Sequence, residues 1–223
     1  MKAGTLLILL GLLLRGDLLA RQEQFLGERV VHLLDEPRHR PVRQEGQLTL
    51  LDVRIKPGDE SLPHTHDQPI LLTYISLADG PQNGRVRVNL NYSIEPLIHK
   101  VGNVGPGLFH IIALVHDGSG QPVSDDDVAV GTQVDPDIDN NWFRSYRYEL
   151  EPGETTALQT HINPTFIIQG SEGLAHVSRE DGLTRELAYP GAWAWRKAGS
   201  TYNIANVGDS LVAIIINEGR LQH

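Results

Sequence analysis

Three histidines stand apart by type and spacing. His64-Thr65-His66 places two imidazoles two positions apart, and on an extended strand such residues point to the same face. His99 follows His66 by 33 positions, enough chain for intervening strands to return to the same place. Neutral imidazole is a ligand for late transition ions. The expected cofactor is therefore a divalent metal (iron, zinc, nickel, copper or manganese) held by His64, His66 and His99. Three protein ligands leave coordination positions for a substrate, which catalysis requires. The other reading is that these histidines only line the interior of a barrel. The chain has no cysteine, which excludes thiolate ligands, disulfides, a cysteine nucleophile and a lipid-bearing cysteine.

The elements that must position these side chains read as short strands. Segments 48–55, 70–77, 85–92, 109–115, 143–150, 166–169 and 211–216 are rich in apolar and β-favouring residues, separated by Gly, Pro, Asn and Asp. Strands this short and this regularly punctuated indicate an all-β sandwich or barrel. No segment after residue 40 has a long helical period. An internal repeat then sets the organisation. Arg54-Ile55-Lys56-Pro57-Gly58-Asp59-Glu60 is echoed by Glu149-Leu150-Glu151-Pro152-Gly153-Glu154, 95 positions on. His99-Lys100-Val101-Gly102-Asn103-Val104-Gly105 is echoed by Tyr202-Asn203-Ile204-Ala205-Asn206-Val207-Gly208, 103 positions on. One unit occurs twice, and a longer hairpin in the second copy absorbs the difference in offset.

These residues also carry a family resemblance. Gly58, five residues, then His64-Thr65-His66 resembles the first motif of the cupin superfamily. Pro96-Leu97-Ile98-His99, three residues, then Asn103 resembles the end of the second, with Pro96 where glycine is usual. The resemblance implies two tandem cupin β-barrels of the jelly-roll kind, a bicupin, over roughly residues 36–218. Glu36-Pro37-Arg38-His39-Arg40 with His64-Thr65-His66-Asp67 further resembles exported bacterial bicupins, whose activity the resemblance does not supply. It also implies a glutamate ligand, but the positions where it is expected hold Ile70 and Leu71; Asp67 and Gln68 are the nearby substitutes, off the family spacing. The implied set is three histidines, as in cupin dioxygenases of the cysteine-oxidising type.

In the second copy the corresponding positions read Gln159, His161 and Tyr202, a poor shell for a divalent ion. With Trp193 and Trp195, which share one face of a strand, they form the candidate ligand pocket of the second barrel; the alternative for the tryptophans is core packing. His110, His116 and His176 read as surface or hydrogen-bonded side chains, and His39, between Arg38 and Arg40, as part of a solvated basic clump. Tyr74, Tyr92 and Glu95 lie on segments near the triad, with their facing undetermined. No Gly-x-Ser-x-Gly elbow and no phosphate-cradling glycine loop is present.

The expected order is a signal segment over 1–20, a lead-in over 21–46, the first barrel over 47–117, an acidic linker over 118–141 and the second barrel over 142–223. Lys2, the Leu-rich run 5–14 and Ala20 as a cleavage position fit export to a periplasmic or secreted location; the alternative is a buried N-terminal helix. The run is too short to span a bilayer, so no integral span is expected after cleavage. Asp135, Asp137 and Asp139 resemble the start of a calcium loop, yet Asn140 and Tyr146 stand where its glycine and closing glutamate belong. A net charge of −9 argues against nucleic-acid binding. The expected partner is a small organic molecule, and a homo-oligomer is neither required nor forbidden. Function follows as a metal-dependent oxygenase or isomerase-like enzyme, or alternatively a non-enzymatic binding or structural protein.

Overall fold

The computed structural model describes residues 25, 27–124 and 129–221. The signal segment expected over 1–20 and the acidic run Asp125-Asp126-Asp127 lie outside the described residues. Among the described residues no helix is long and apolar enough to cross a membrane.

The chain is all-β, in two halves. The first contains β1 (Val31–His32), a 3-10 turn η1 (Leu33–Asp35), β2 (His39–Glu45), β3 (Leu48–Ile55), β4 (His64–His66), β5 (Ile70–Leu77), β6 (Gly80–Asn89), a second turn η2 (Asn91–Ser93), β7 (Leu97–His99) and β8 (Phe109–His116). A five-stranded sheet in the order β2-β3-β8-β5-β6 faces a small sheet β1-β4-β7. The second half contains β9 (Ile138–Asp139), β10 (Phe143–Leu150), β11 (Gln159–Thr160), β12 (Thr165–Gln169), β13 (Ala175–Arg179), β14 (Thr184–Leu187), β15 (Trp193–Arg196), β16 (Thr201–Asn206) and β17 (Val212–Gly219). Here the sheets run β15-β12-β17-β10-β9 and β11-β16-β13-β14. The pairing is antiparallel throughout except between β1 and β4.

The repeat in the sequence is a repeat of hydrogen bonds. Asn103 donates from Nδ2 to the carbonyls of Ile55 and Gly107 and accepts from Gly105 N. Asn206 donates to Leu150 and Ser210 and accepts from Gly208 N. Ser61 Oγ accepts from Val101 N as Thr156 Oγ1 does from Ile204 N. Each asparagine is 1% exposed, so its bonds are made where an unpaired carbonyl would be costly. The Pro-Gly turns are alike as well: Gly58 and Gly153 have φ of +77° and +80°, a region that only glycine enters without strain.

The large sheets of the two halves pack face to face. Leu48, Leu50, Leu71, Ile112 and Leu114 of the first meet Phe143, Phe166, Ile168 and Ile215 of the second in one buried cluster. Strands such as β8 are apolar on both faces because both are covered. Ile112 and Leu114 point to the other half, while Ile111, Ala113 and Val115 point into their own barrel. Asn217 Nδ2 to Thr73 Oγ1 at 2.8 Å and His116 Nε2 to Arg220 O at 2.7 Å add polar cross-links.

Within the segment 118–141, Ile138–Asp139 pairs with β10 and Ala129 is buried against the second core. Asp139 bonds Arg144 at 2.9 Å and Arg220 at 2.6 Å, so its carboxylate is committed to arginines rather than to a calcium ion.

Candidate metal centre

β4 alternates as its sequence requires. His64 and His66 are buried on one face, with Thr65 between them on the other. β7 runs antiparallel beside it, and its register places His99 directly opposite His64. Two local rules, same-face spacing and cross-strand pairing, therefore bring three rings to one point. The Nε2 atoms of His64 and His66 lie 3.1 Å apart, and each is 3.0 Å from Nε2 of His99.

Three such nitrogens cannot satisfy one another. Nδ1 of His64 faces the carbonyl of Leu62 at 2.8 Å, so Nδ1 carries the proton and Nε2 presents a lone pair. Burial lowers the affinity of His64 for a second proton. Burial first, then the neighbouring imidazoles, push His66 down to about 2 and His99 to about 4. Neutral rings whose Nε2 atoms converge are what a cation needs. Among the described residues these three form the group that fits a metal ion. Ligands on bonds of about 2.0–2.1 Å lie roughly 3.0 Å apart at right angles and roughly 3.4 Å apart at tetrahedral angles. The observed spacing is short enough for the three nitrogens to share one ion.

That group borders a cavity of about 340 Å³. Leu51, Val53, Ile70, Leu72, Phe109 and Ile111 supply most of its wall, with Tyr74, Tyr92 and His39 as its other polar side chains; among the described residues no Asp, Glu, Lys or Arg lines it. Tyr92 comes from the η2 turn, its ring 5.0 Å from that of His66. The strand expected over 85–92 ends at Asn89, and that termination swings Tyr92 inward. Glu95 is exposed and takes no place in the wall. Asp67 turns outward to His32, 2.9 Å away, and supplies no carboxylate to the histidines.

His39 corrects the expectation of a solvated clump. It is 4% exposed and lines the cavity, its ring edge-on to that of His64 at 4.4 Å. Burial, then the repulsion between the two imidazoles when protonated, lower it to about 4. Arg38 and Arg40 do point away, to Asp59 and Asp52. The alternation of β2 separates Arg40 from His39, and Arg38 lies in the turn before the strand. His110 and His116 are buried and bonded, to Asp52 at 2.9 Å and to Arg220 O, and His176 is half-buried beside Glu186.

In the second barrel Gln159, His161 and Tyr202 do come together. Gln159 stands opposite Tyr202 in the register, as His64 does opposite His99. The rings of His161 and Tyr202 stack at 5.6 Å. His161 Nδ1 bonds Glu218 Oε1 at 2.6 Å, and Nε2 lies 3.4 Å from Gln159 Oε1. The interior of this barrel carries bulkier side chains than that of the first. Tyr146 and Tyr148 stand where the repeat places Leu51 and Val53 in the first barrel, and both belong to the packed core. Burial raises the phenols of Tyr146 and Tyr202 well above their ordinary value. Trp193 and Trp195 are not with them. Ala192 and Ala194 take the inward face of that strand, so both tryptophans turn to the cluster between the halves, with Arg43 stacked over Trp195 at 3.9 Å. Their assignment to a ligand pocket is corrected on that ground.

No protein-family model matches the chain, and no curated protein matches its sequence. Among solved structures, AerE from Microcystis aeruginosa is similar with a TM-score of 0.55 at 12% identity, over 84% of this chain and 99% of its own. A cupin 2 conserved barrel domain protein from Leptotrichia buccalis is similar at 0.49 and 6% identity, over 81% and 88%. A cupin domain from Bordetella pertussis is similar at 0.35 and 21% identity, over 47% of this chain and 100% of its own. The likeness to AerE runs through both halves and shows a shared fold.

Proposed function

We propose that the first barrel is a metal-dependent catalytic site for a small, mainly apolar organic molecule. The observation that carries this reading is the triangle of Nε2 atoms from His64, His66 and His99 at the wall of a hollow cavity that no charged side chain lines among the described residues. His64, His66 and His99 would hold the ion. When bound, it would supply Lewis-acid polarisation of a substrate oxygen or, as iron, activation of dioxygen. The chain's own residues do the rest. Leu51, Val53, Phe109 and Ile111 bury the apolar body of the substrate and exclude water, which strengthens every polar contact inside. Tyr74, Tyr92 and His39 are the wall's side chains, other than the ligands, that can hold or pass a proton. An oxygenase or isomerase-like reaction fits this inventory. The Leu-rich N-terminal run supports export of the chain.

The test is elemental analysis of the protein purified without chelator, beside a His64→Ala/His66→Ala variant. One ion per chain is expected in the former and none in the latter. A chain that holds no iron, zinc, nickel, copper or manganese, and takes up none on reconstitution, refutes the reading. The lack of any carboxylate or lysine in the wall favours a second reading, a non-enzymatic binder in which the ion anchors the ligand. Turnover that collapses in His66→Ala decides for the enzyme.

A further inference from the structure

The motif Glu36-Pro37-Arg38-His39 is not consumed by the metal set, yet it is docked onto the ligand-bearing loop. The Glu36 carboxylate, 1% exposed, accepts from Leu62 N at 3.1 Å, from Arg38 N at 2.6 Å and from His39 N at 3.1 Å. Arg38 grips Asp59 with two bonds of 2.9 and 2.6 Å. The segment is thereby tied to the same loop whose Leu62 carbonyl orients His64. What it delivers to the cavity is the ring of His39.

We propose that His39 is a specificity-determining residue that accepts a hydrogen bond from an N–H or O–H of the substrate, beside the atom that meets the metal. This rests on the metal reading above and names the substrate class: a mainly apolar molecule with one coordinating oxygen and a neighbouring protic donor.

Three observations carry it. First, the tautomer is set. Nδ1 of His39 faces the Leu33 carbonyl at 3.2 Å, so that nitrogen holds the proton and Nε2 is left as an acceptor; no described residue bonds to Nε2. Second, the placement suits a molecule rather than an ion. His39 touches His64 edge-on but falls outside the group whose ligand atoms lie within 4.8 Å of one another. A ring set back in this way can contact what an ion holds without joining its ligands. Third, the rest of the wall is nearly without competition. Beyond the metal set, Tyr74 and Tyr92 are the other polar side chains there. A phenol can act as donor or acceptor, whereas His39 in this tautomer only accepts at its open nitrogen. A site built to accept such a bond rejects analogues that lack the donor, because a bound analogue would cover the nitrogen and leave it unpaired.

The test loads the protein with Co²⁺ as a spectroscopic ion and titrates it, by visible absorption, with acetohydroxamic acid and with N-methylacetohydroxamic acid. Both chelate through the same two oxygens, and only the first keeps an N–H. The wild type is expected to prefer the first by about tenfold, the worth of one ordinary hydrogen bond. His39→Phe is expected to bind one cobalt and lose that preference, and His39→Gln, which restores an acceptor oxygen, to regain a share of it. If His39→Phe does not fold, His39→Ala carries the same comparison. An equal preference in wild type and variant, or none in wild type, overturns the role of His39 alone. Failure to take up cobalt at all overturns the metal reading and this one with it.

Discussion

A buried imidazole held neutral makes folding depend on pH, and His66 shows how strongly. Its ordinary value of 6.5 falls to about 2 in the folded chain, through burial first and then the neighbouring histidines. Its Nδ1 is buried without a hydrogen-bond partner. The unfolded chain protonates this group below pH 6.5; the folded chain does not until near pH 2. Stability is therefore fully present above 6.5 and is lost as pH falls from there toward the folded value. Between pH 7 and pH 5 the loss from this one residue is about 2 kcal/mol, since the unfolded state gains a proton over roughly 1.5 units of pH at about 1.4 kcal/mol each. His66→Phe removes the titrating group and keeps a ring of similar shape in the barrel. The assay is urea unfolding of chelator-treated protein at half-unit steps from pH 7.5 to 5. Wild type is expected to lose about 2 kcal/mol more than the variant over that interval. Stability curves that run parallel would show that His66 is readily protonated in the folded state, and the account of a neutral, ligand-ready triad would be wrong.

Two further outcomes follow from the repeat. Asn103→Ala and Asn206→Ala each leave two buried carbonyls unpaired, at Ile55 and Gly107 or at Leu150 and Ser210, and each is expected to cost about 3 kcal/mol in urea unfolding; a loss under 1 kcal/mol in either would deny that these asparagines brace their barrels. Glu218→Ala strands His161 in a pair where both side chains are 1% exposed, with an expected cost of about 3 kcal/mol. Metal content should stay at one ion per chain in that variant, and a drop would mean that the second barrel takes part in holding the ion.

Much of the site was legible because it follows from short-range rules. His64 and His66 share a face by the period of a strand, and the offsets of 95 and 103 positions that align Asn103 with Asn206 also align Gln159, His161 and Tyr202 with the triad. His39 was not legible in this way. Arg38 and Arg40 made it look solvated, but β2 begins at His39 and sends Arg40 to the opposite face while the ring goes in, and Arg38, in the turn before it, is held outward by Asp59. The tryptophans failed for a related reason. Their shared face was correct, yet both faces of that strand are covered, so shared facing did not say which side they occupied.

What the residues alone determined was the repeated unit, its all-β character and the three imidazoles able to meet. These depend on alternation, turn chemistry and internal similarity, all of which are written along the chain. Only the tertiary structure decided that the first barrel encloses a cavity, and which groups look into it. Those outcomes depend on how much volume side chains from distant strands leave between them. Leu51 and Val53 line a cavity where the larger Tyr146 and Tyr148 join a packed core, and no local pattern adds up such volumes before the sheets have folded over one another.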